Sequence, residues 1–231
     1  MNYEQHTLLV LICLALILAI LAYRKKRIYE QNYGEALVSN KIRNCIESPY
    51  HLFNNVTLKK GKETTQIDHI LITSKGIFVI ETKHYSGWIF GTPDSRYWQQ
   101  SIYHFKSRFP NPISQNQRQI RFLSELFKLE PKYYNNVVVF SGNSEFRTEL
   151  GKSVIELSDL KNLVEEKEEN IISEKMMTYI VGKIEMCRMP RSLETDEYHM
   201  NFLESKFKEG ASRDGQRSYR PAPTLYVRQE K

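Results

Sequence analysis

The chain has 231 residues, enough for one well-cored domain with extensions. Hydrophobic residues make up 41% and charged residues 26%, values that argue against a wholly disordered chain. The formal net charge of +6 favours an anionic partner, either nucleic acid or the inner leaflet of a membrane, and does not choose between them. Three widely spaced cysteines, without a CxxC or Cys/His ligand pattern, argue against a structural zinc site and a disulfide framework.

An unbroken apolar run, "LLVLICLALILAILA", occupies residues 8–22. A membrane-spanning helix needs about 20 residues and at least roughly 17, so the run from Leu8 to Ala22 suffices if its flanks extend it into the interfaces. We therefore predict a short tail at residues 1–7 and a transmembrane helix at residues 8–23. A cleavable signal peptide is the alternative, but residues 1–7 contain no Lys or Arg, and the run ends in "AYRKKR" without a small-residue cleavage site.

Four cations, Arg24 to Arg27, follow the apolar run immediately. The positive-inside rule therefore predicts a single-pass membrane protein with its N-terminus outside and its C-terminal domain in the cytoplasm. Residues 24–33 are interpreted as a basic juxtamembrane linker, with a helical extension as the alternative reading of residues 28–33.

The rest of the chain alternates helical and strand patterns, which predicts a mixed α/β domain. Asn111 as N-cap and Pro112 at the first helical position mark the start of one helix. Hydrophobic periodicity and turn residues place the other elements. Helices are predicted at residues 34–47, 112–129, 158–166 and 171–187, strands at 52–58, 135–141 and 153–157, two strands within 65–83, short strands and turns at 85–100, and a disordered basic tail from Gly210.

The stretch "TQIDHILITSKGIFVIETK", Thr65 to Lys83, reads as a hairpin. With Lys75 and Gly76 as a two-residue turn, Asp68 pairs with Lys83 and Ile70 pairs with Glu81. Because side chains alternate across a strand, this register puts Asp68, Glu81 and Lys83 on one face.

Two adjacent carboxylates with a lysine suit the cleavage of a phosphodiester. Asp and Glu oxygens are ligands that Mg²⁺ prefers, and a lysine stabilises charge on phosphate oxygens. Charged residues at strand ends are also commonly a solvated face, with Asp68 and Lys83 as a cross-strand ion pair. Glu35 adds a third carboxylate on the core-facing stripe of the first helix; the alternative is an acid that complements the helix dipole.

Together, Gly34-Glu35, "NNVTL", "TQIDHILITSKGIFVIETKHYSGWIFG", Trp98 and "NPISQ" resemble the nuclease-related domain (NERD) family of the PD-(D/E)xK superfamily. The resemblance covers residues 34 to about 127 and weakens up to 141. It implies a restriction-endonuclease-like α/β fold, a mixed β-sheet flanked by helices, and Mg²⁺- or Mn²⁺-dependent cleavage of DNA.

The resemblance also implies roles for individual residues. Asp68, Glu81 and Glu35 match the metal-binding carboxylates, and Lys83 matches the catalytic lysine. Ile67 stands where the name-giving proline of the superfamily would be. Gln115 matches the glutamine of the helix after the core strands, in contact with substrate or an active-site water; ordinary surface polarity is its alternative.

Weaker candidates surround this set. Four cations are candidates for phosphate contact, or else belong to a solvated surface: Lys106, Arg108, Arg118 and Arg121. Trp88 and Trp98 are candidates for base stacking, with capping of a core as the favoured alternative. His69 and His84 alternate to the opposite face from the site residues and are not assigned as ligands.

The sequence thus predicts a membrane-anchored, metal-dependent deoxyribonuclease with the nuclease-like domain at residues 34–141, a helical extension at 142–189 and a polar tail at 190–231. The alternatives are a non-catalytic adaptor that uses the same fold to bind nucleic acid or protein, and a nuclease acting on RNA.

Overall fold

A computed structural model describes residues 3–47, 49–167 and 169–214 of the chain. It has a mixed α/β architecture, in agreement with the predicted restriction-endonuclease-like fold. Its elements in chain order are α1 (Tyr3–Cys45), β1 (Tyr50–Lys60), β2 (Glu63–Thr73), β3 (Gly76–Lys83), β4 (Gly87–Phe90), β5 (Tyr97–Ile102), β6 (Phe105–Pro110), α2 (Pro112–Phe127), β7 (Tyr134–Phe140), β8 (Ser144–Phe146), β9 (Val154–Glu156), α3 (Leu160–Glu165), α4 (Glu174–Cys187) and α5 (Leu193–Asp214).

The main sheet has the strand order β1-β2-β3-β7-β9. Strands β1 to β3 are antiparallel, whereas β7 and β9 run parallel to β3. Helices cover both faces: α2 and α4 lie on one side with Ile120, Leu123 and Ile180, and α1 and α3 lie on the other. A strand buried on both faces reads as a continuous apolar run, which is why "NNVVVFS" was correctly predicted as β7.

A second sheet, of order β6-β5-β4-β8, packs beside the first. Trp98 is buried in it against Phe109, and its indole nitrogen donates to the Thr92 carbonyl at 2.9 Å. The core interpretation is therefore correct for Trp98. Trp88 is 48% exposed, with the Arg147 guanidinium 4.5 Å from its ring centre.

Helix α2 begins as predicted. Asn111 caps it, since its side-chain oxygen accepts from the backbone amides of Ile113 and Ser114, and Pro112 takes the first helical position. The helix ends at Phe127, and the next residue, Lys128, caps it in a left-handed conformation.

Helix α1 is continuous from Tyr3 to Cys45, so the basic juxtamembrane residues 24–33 are helical, which agrees with the helical alternative for residues 28–33. Its apolar N-terminal half packs against no other part of the described fold, and side chains such as Leu8 and Ile20 are more than half exposed. Among the described residues, this is one helix long and apolar enough to cross a membrane, by length and composition.

Two C-terminal predictions are wrong. Residues 142–189 are not a purely helical extension: β8, which was not predicted, joins the second sheet, and β9, which matches the strand predicted at 153–157, joins the main sheet. The segment from Pro190 is not disordered throughout, because α5 spans Leu193–Asp214; residues 215–231 lie outside the described residues. Helix α5 docks with the polar residues Thr195 and His199, so hydrophobic periodicity gave no signal for it.

The docking of α5 on β2 is expected to depend on pH. His199 Nδ1 lies 2.9 Å from Thr64 Oγ1, and burial lowers the pKa of His199. Below about pH 6.5, the ordinary histidine pKa, the unfolded state therefore binds more protons than the folded state. The contribution of the neutral His199 to the stability of the docked helix is complete above that pH and is lost as the pH falls. We expect hydrogen-exchange protection of α5 to drop between about pH 7 and 5.

The matched variant is His199→Gln, which keeps a polar side chain but removes the titrating imidazole. In this variant, the hydrogen-exchange protection of α5 should not show the decline at acid pH that the histidine causes. The half-buried Asp196, whose pKa is raised by burial, acts in the opposite direction and is present in both proteins. Equal pH profiles for the two proteins would contradict the assignment.

Candidate metal-binding and catalytic site

The β2–β3 hairpin has the predicted face but not the predicted register. Thr73 pairs with Gly76, so the turn is Ser74-Lys75, and Ile70 lies opposite Val79 instead of Glu81. The register differs from the prediction by two residues, which leaves every side chain on its predicted face.

The misassigned residue is Gly76. It lies in the strand, and a Cβ there would come within 2.6 Å of Asn135 Nδ2. Glycine is favoured there by its φ of 146° as well as by the close approach to β7, and it occupies a strand position instead of a turn position, which is why a turn-based prediction failed.

The predicted Asp68, Glu81 and Lys83 come together where the β2–β3 ladder ends. The last pair in the ladder is His69 with Ile80, and one further step brings Asp68 opposite Glu81. Beyond that point, the backbone amide of Thr82 donates to Asp68 Oδ2 at 2.9 Å. The carboxylate of Asp68 therefore takes a hydrogen bond from β3 just beyond the ladder.

Glu81 lies at the centre of the site. Lys83 Nζ is 2.6 Å from Glu81 Oε1, and Gln119 Nε2 of α2 donates to Glu81 Oε2 at 3.4 Å. Glu81 is 1% exposed and Asp68 6%, while the Lys83 side chain keeps 16% of its surface. These are buried charges at one end of a hairpin, not the solvated surface of the alternative reading.

The electrostatics of the site favour a cation. Burial raises the pKa of Asp68 well above its usual range, and repulsion by Glu81 and Glu35 raises it further, against the attraction of Lys83. Burial alone would lower the pKa of Lys83, but attraction chiefly to Glu81 outweighs it and the net shift is upward. The lysine is therefore charged and attracts Glu81 and Asp68, while Glu35 adds a third negative charge that acts on Asp68.

Glu35 reaches the site from the other side of the main sheet. It lies on α1, is 2% exposed, and its Oε1 accepts from Gln31 Nε2 at 3.3 Å. Gly34 makes this approach possible, because a Cβ there would lie 2.5 Å from the Cβ of His84. Val38 and Ile42, one and two turns on, are buried, which confirms the predicted core-facing stripe.

The residues present fit a hard divalent cation held by two carboxylates. Within the described ranges, no group of three or more His, Cys, Asp and Glu side chains is close enough to form a complete protein-only site. Mg²⁺ does not need one, because it commonly binds through one or two carboxylates, with water and substrate phosphate as the other ligands. Asp68 and Glu81 would supply that pair.

Sequence reasoning missed two supporting side chains, of which the first is Gln119. Gln119, not Gln115, is the α2 amide against Glu81; Gln115 lies one turn earlier, half-buried, and its substrate role stays a prediction. Gln119 also donates to the Gln66 carbonyl at 3.0 Å and so ties α2 to β2. Their spacing of four residues puts both glutamines on one side of α2, so the sequence alone did not separate them.

The second is Asn54, which acts through His69. His69 lies on the opposite face from Asp68, as predicted; its Nδ1 is 2.8 Å from Asn54 Oδ1 and its Nε2 is 3.1 Å from Thr82 Oγ1. Burial, helped by the charge of Arg43, lowers the pKa of His69 to about 3, so the ring is neutral. Asn54 Oδ1 accepts the Nδ1 proton, which leaves Nε2 to accept from Thr82, the residue whose amide binds Asp68.

The predicted phosphate-binding cations are spread out. Arg118 and Arg121 lie on the exposed side of α2. Partial burial lowers the pKa of Arg118, and Glu81 acts against this shift. Arg118 therefore lies within electrostatic reach of the site. Lys106 and Arg108 lie on β6, exposed on the second sheet.

The family comparison agrees with this geometry. Residues 30–141 match the family model described as nuclease-related domain. These residues form a nuclease-related domain. The predicted domain, residues 34–141, thus starts four residues late and ends at the same residue.

A relative resembles the chain beyond the nuclease-related domain. An uncharacterised protein of Bacillus anthracis is 28% identical over 203 residues, which cover 85% of this chain and 95% of the relative. This alignment is longer than the domain, so the likeness continues into the flanking segments. No solved structure matches the chain.

Proposed function

We propose that this protein is a membrane-anchored nuclease that hydrolyses DNA phosphodiester bonds with Mg²⁺ or Mn²⁺, from the cytoplasmic side of the membrane. The observation that carries the proposal is the buried trio in which Asp68 and Glu81 adjoin one another and Lys83 lies 2.6 Å from Glu81. Its setting in a nuclease-related domain supports DNA as the substrate.

Each residue has a role that its position supports. Asp68 and Glu81 would hold the metal ion, which supplies Lewis acidity and a bound water of lowered pKa. Lys83 keeps its charge and donates to the phosphate oxygens on which negative charge develops. Gln119 and Thr82 fix the two carboxylates, and Glu35 adds negative charge from α1 that strengthens attraction for the cation.

The assay that tests this function uses the full chain in detergent micelles with supercoiled and linear single-stranded DNA. Cleavage is measured with Mg²⁺, with Mn²⁺ and with EDTA. Metal-dependent cleavage that EDTA abolishes is the expected result. Absence of cleavage, with no stabilisation by either ion, would instead favour a membrane-tethered adaptor that binds nucleic acid or protein.

One observation keeps the adaptor as the second candidate. The ion pair between Lys83 and Glu81 neutralises one carboxylate without a metal, and such a pair is compatible with a purely structural role. Metal binding at Asp68 separates the two functions, because an adaptor does not need it.

The proposed topology follows from the cations at residues 24–27 and from the unburied apolar half of α1. In right-side-out vesicles we expect a tag at the C-terminus to be protected from added protease and a tag at the N-terminus to be cleaved. Permeabilising the vesicles should expose the C-terminal tag. Cleavage of the C-terminal tag in sealed vesicles would reverse the proposed orientation.

A further inference from the structure

A cavity of about 790 Å³ lies between α1, β1 and the segment 188–191 that joins α4 to α5. The carboxylate-bearing Glu35 lines it, so the cavity reaches one edge of the candidate site. Asn54 also lines it and connects through His69 and Thr82 to Asp68. The cavity and the carboxylates thus share one hydrogen-bonded framework.

The wall of the cavity carries three guanidinium groups, of which two make no ion pair within the described residues. Arg43, Arg188 and Arg191 line it. Arg188 is paired with Glu185, at 2.7 Å. Arg191 donates to the backbone carbonyl of Asn54, a neutral acceptor, and within the described ranges neither Arg191 nor Arg43 makes an ion pair. Two guanidiniums without an ion-pair partner beside a cavity are suited to phosphate.

Asn55 adds a hydrogen-bond acceptor to the wall of the cavity. Its backbone is left-handed, with φ of 50°, in the middle of β1, at the register position opposite Asp68. Its Oδ1 atom is buried and accepts no hydrogen bond within the described part of the chain. The cavity that Asn55 lines has room for a donor, from water or from a bound molecule, to reach this acceptor.

The arginine-bearing segment is anchored to the edge of the main sheet. Arg188 forms a β-bridge with Leu58, and the Met189 amide donates to the Thr57 carbonyl at 2.8 Å. Residues 188–191 lie beyond the matched domain, residues 30–141. The C-terminal region of this chain therefore contributes a wall that the domain alone does not have.

We propose that this cavity binds a single strand of DNA and leads it to Asp68 and Glu81, with Arg43 and Arg191 on its phosphates and Asn55 accepting from a base. This inference rests on the proposed function and names the form of its substrate. The cavity has the volume of sites that bind one drug-sized molecule, which suits a short stretch of single strand better than a duplex.

The test measures binding separately from cleavage. The full chain carrying Asp68→Asn, in micelles with EDTA, is titrated against a labelled single-stranded oligonucleotide and its blunt duplex, at several salt concentrations. We expect Arg43→Gln and Arg191→Gln each to weaken single-strand binding about ten-fold. Each should reduce the slope of log K against log salt by about 0.7, the value for one phosphate contact on a single strand.

Matched controls are Lys132→Gln and Arg147→Gln, which remove exposed cations away from the cavity and should leave binding unchanged. Arg191→Lys keeps the positive charge and should restore most of the affinity, as expected for a phosphate contact.

Failure of this inference differs from failure of the nuclease proposal. Equal binding by the arginine variants and the parent, equal losses in the controls, or a duplex bound as tightly as the single strand would each overturn the cavity assignment, even if the wild type cleaves DNA. Arginine-dependent single-strand binding without any cleavage by the wild type would support the cavity and overturn the nuclease.

Discussion

Asp68→Asn should abolish DNA cleavage while leaving the fold as stable as before or more stable. The substitution keeps the shape of the side chain but removes a negative charge that burial and repulsion by Glu81 and Glu35 disfavour, which is why the pKa of Asp68 is raised. Loss of that repulsion stabilises the fold, whereas loss of a metal ligand removes the activity. Cleavage rates and thermal melting of the full chain measure the two effects together.

Divalent ions provide a second readout for the same variant. A ligand that binds only the folded state raises its melting temperature, so Mg²⁺ or Mn²⁺ should stabilise the wild type and not Asp68→Asn. Asp94→Asn, at an exposed position, is the matched control and should behave as the wild type. Full cleavage by Asp68→Asn, or equal stabilisation of both proteins by metal, would remove Asp68 from the site.

Lys83 needs a paired design, because removing it alone leaves Glu81 buried without its cation, at a cost of about 3–5 kcal/mol. The double variant Lys83→Met/Glu81→Gln removes both charges and keeps the volumes. The single variant Lys83→Met should be less stable than the double variant, and both should lose cleavage. A double variant that still cleaves DNA would contradict the roles of both residues.

Gly34→Ala should lower both stability and activity, because α1 has no room for a methyl group at this position. The added Cβ would lie 2.5 Å from the Cβ of His84 and 2.8 Å from Ser141 Oγ, at the ends of two central strands. Overpacking of this kind costs about 1–3 kcal/mol, and α1 must move away from the sheet and carry Glu35 with it. For a chain of this size, each 1 kcal/mol lowers the melting temperature by about 2–4 °C.

Gly182→Ala is the matched control, since this second helical glycine lies in α4 and an added Cβ there would meet no other atom within 4 Å. Alanine there should stabilise the protein by about 0.5–1 kcal/mol through helix propensity and leave cleavage unchanged. Equal responses at the two glycines would show that helix propensity, and not the approach of α1, determines the effect at Gly34.

The sequence was most informative where buried strands and local capping determine structure. The apolar runs of β2, β3 and β7 have to be covered on both faces, so their composition shows their place in the sheet. The cap Asn111 acts within its own helix turn, so α2 began where predicted. Helix α5 was missed because its contact with β2 is polar and lies far away in sequence.

For the candidate site, the period of the β-strand was enough to place Asp68, Glu81 and Lys83 on one face, even with the register wrong by two residues. Only the tertiary structure shows contacts that the alternation of side chains along a strand does not specify. It places Gln119 beside Glu81, connects Asn54 and His69 to Thr82, and places the Arg188–Arg191 segment along β1. Each of these contacts joins separate elements, and a sequence specifies such contacts only through the packing of the whole fold.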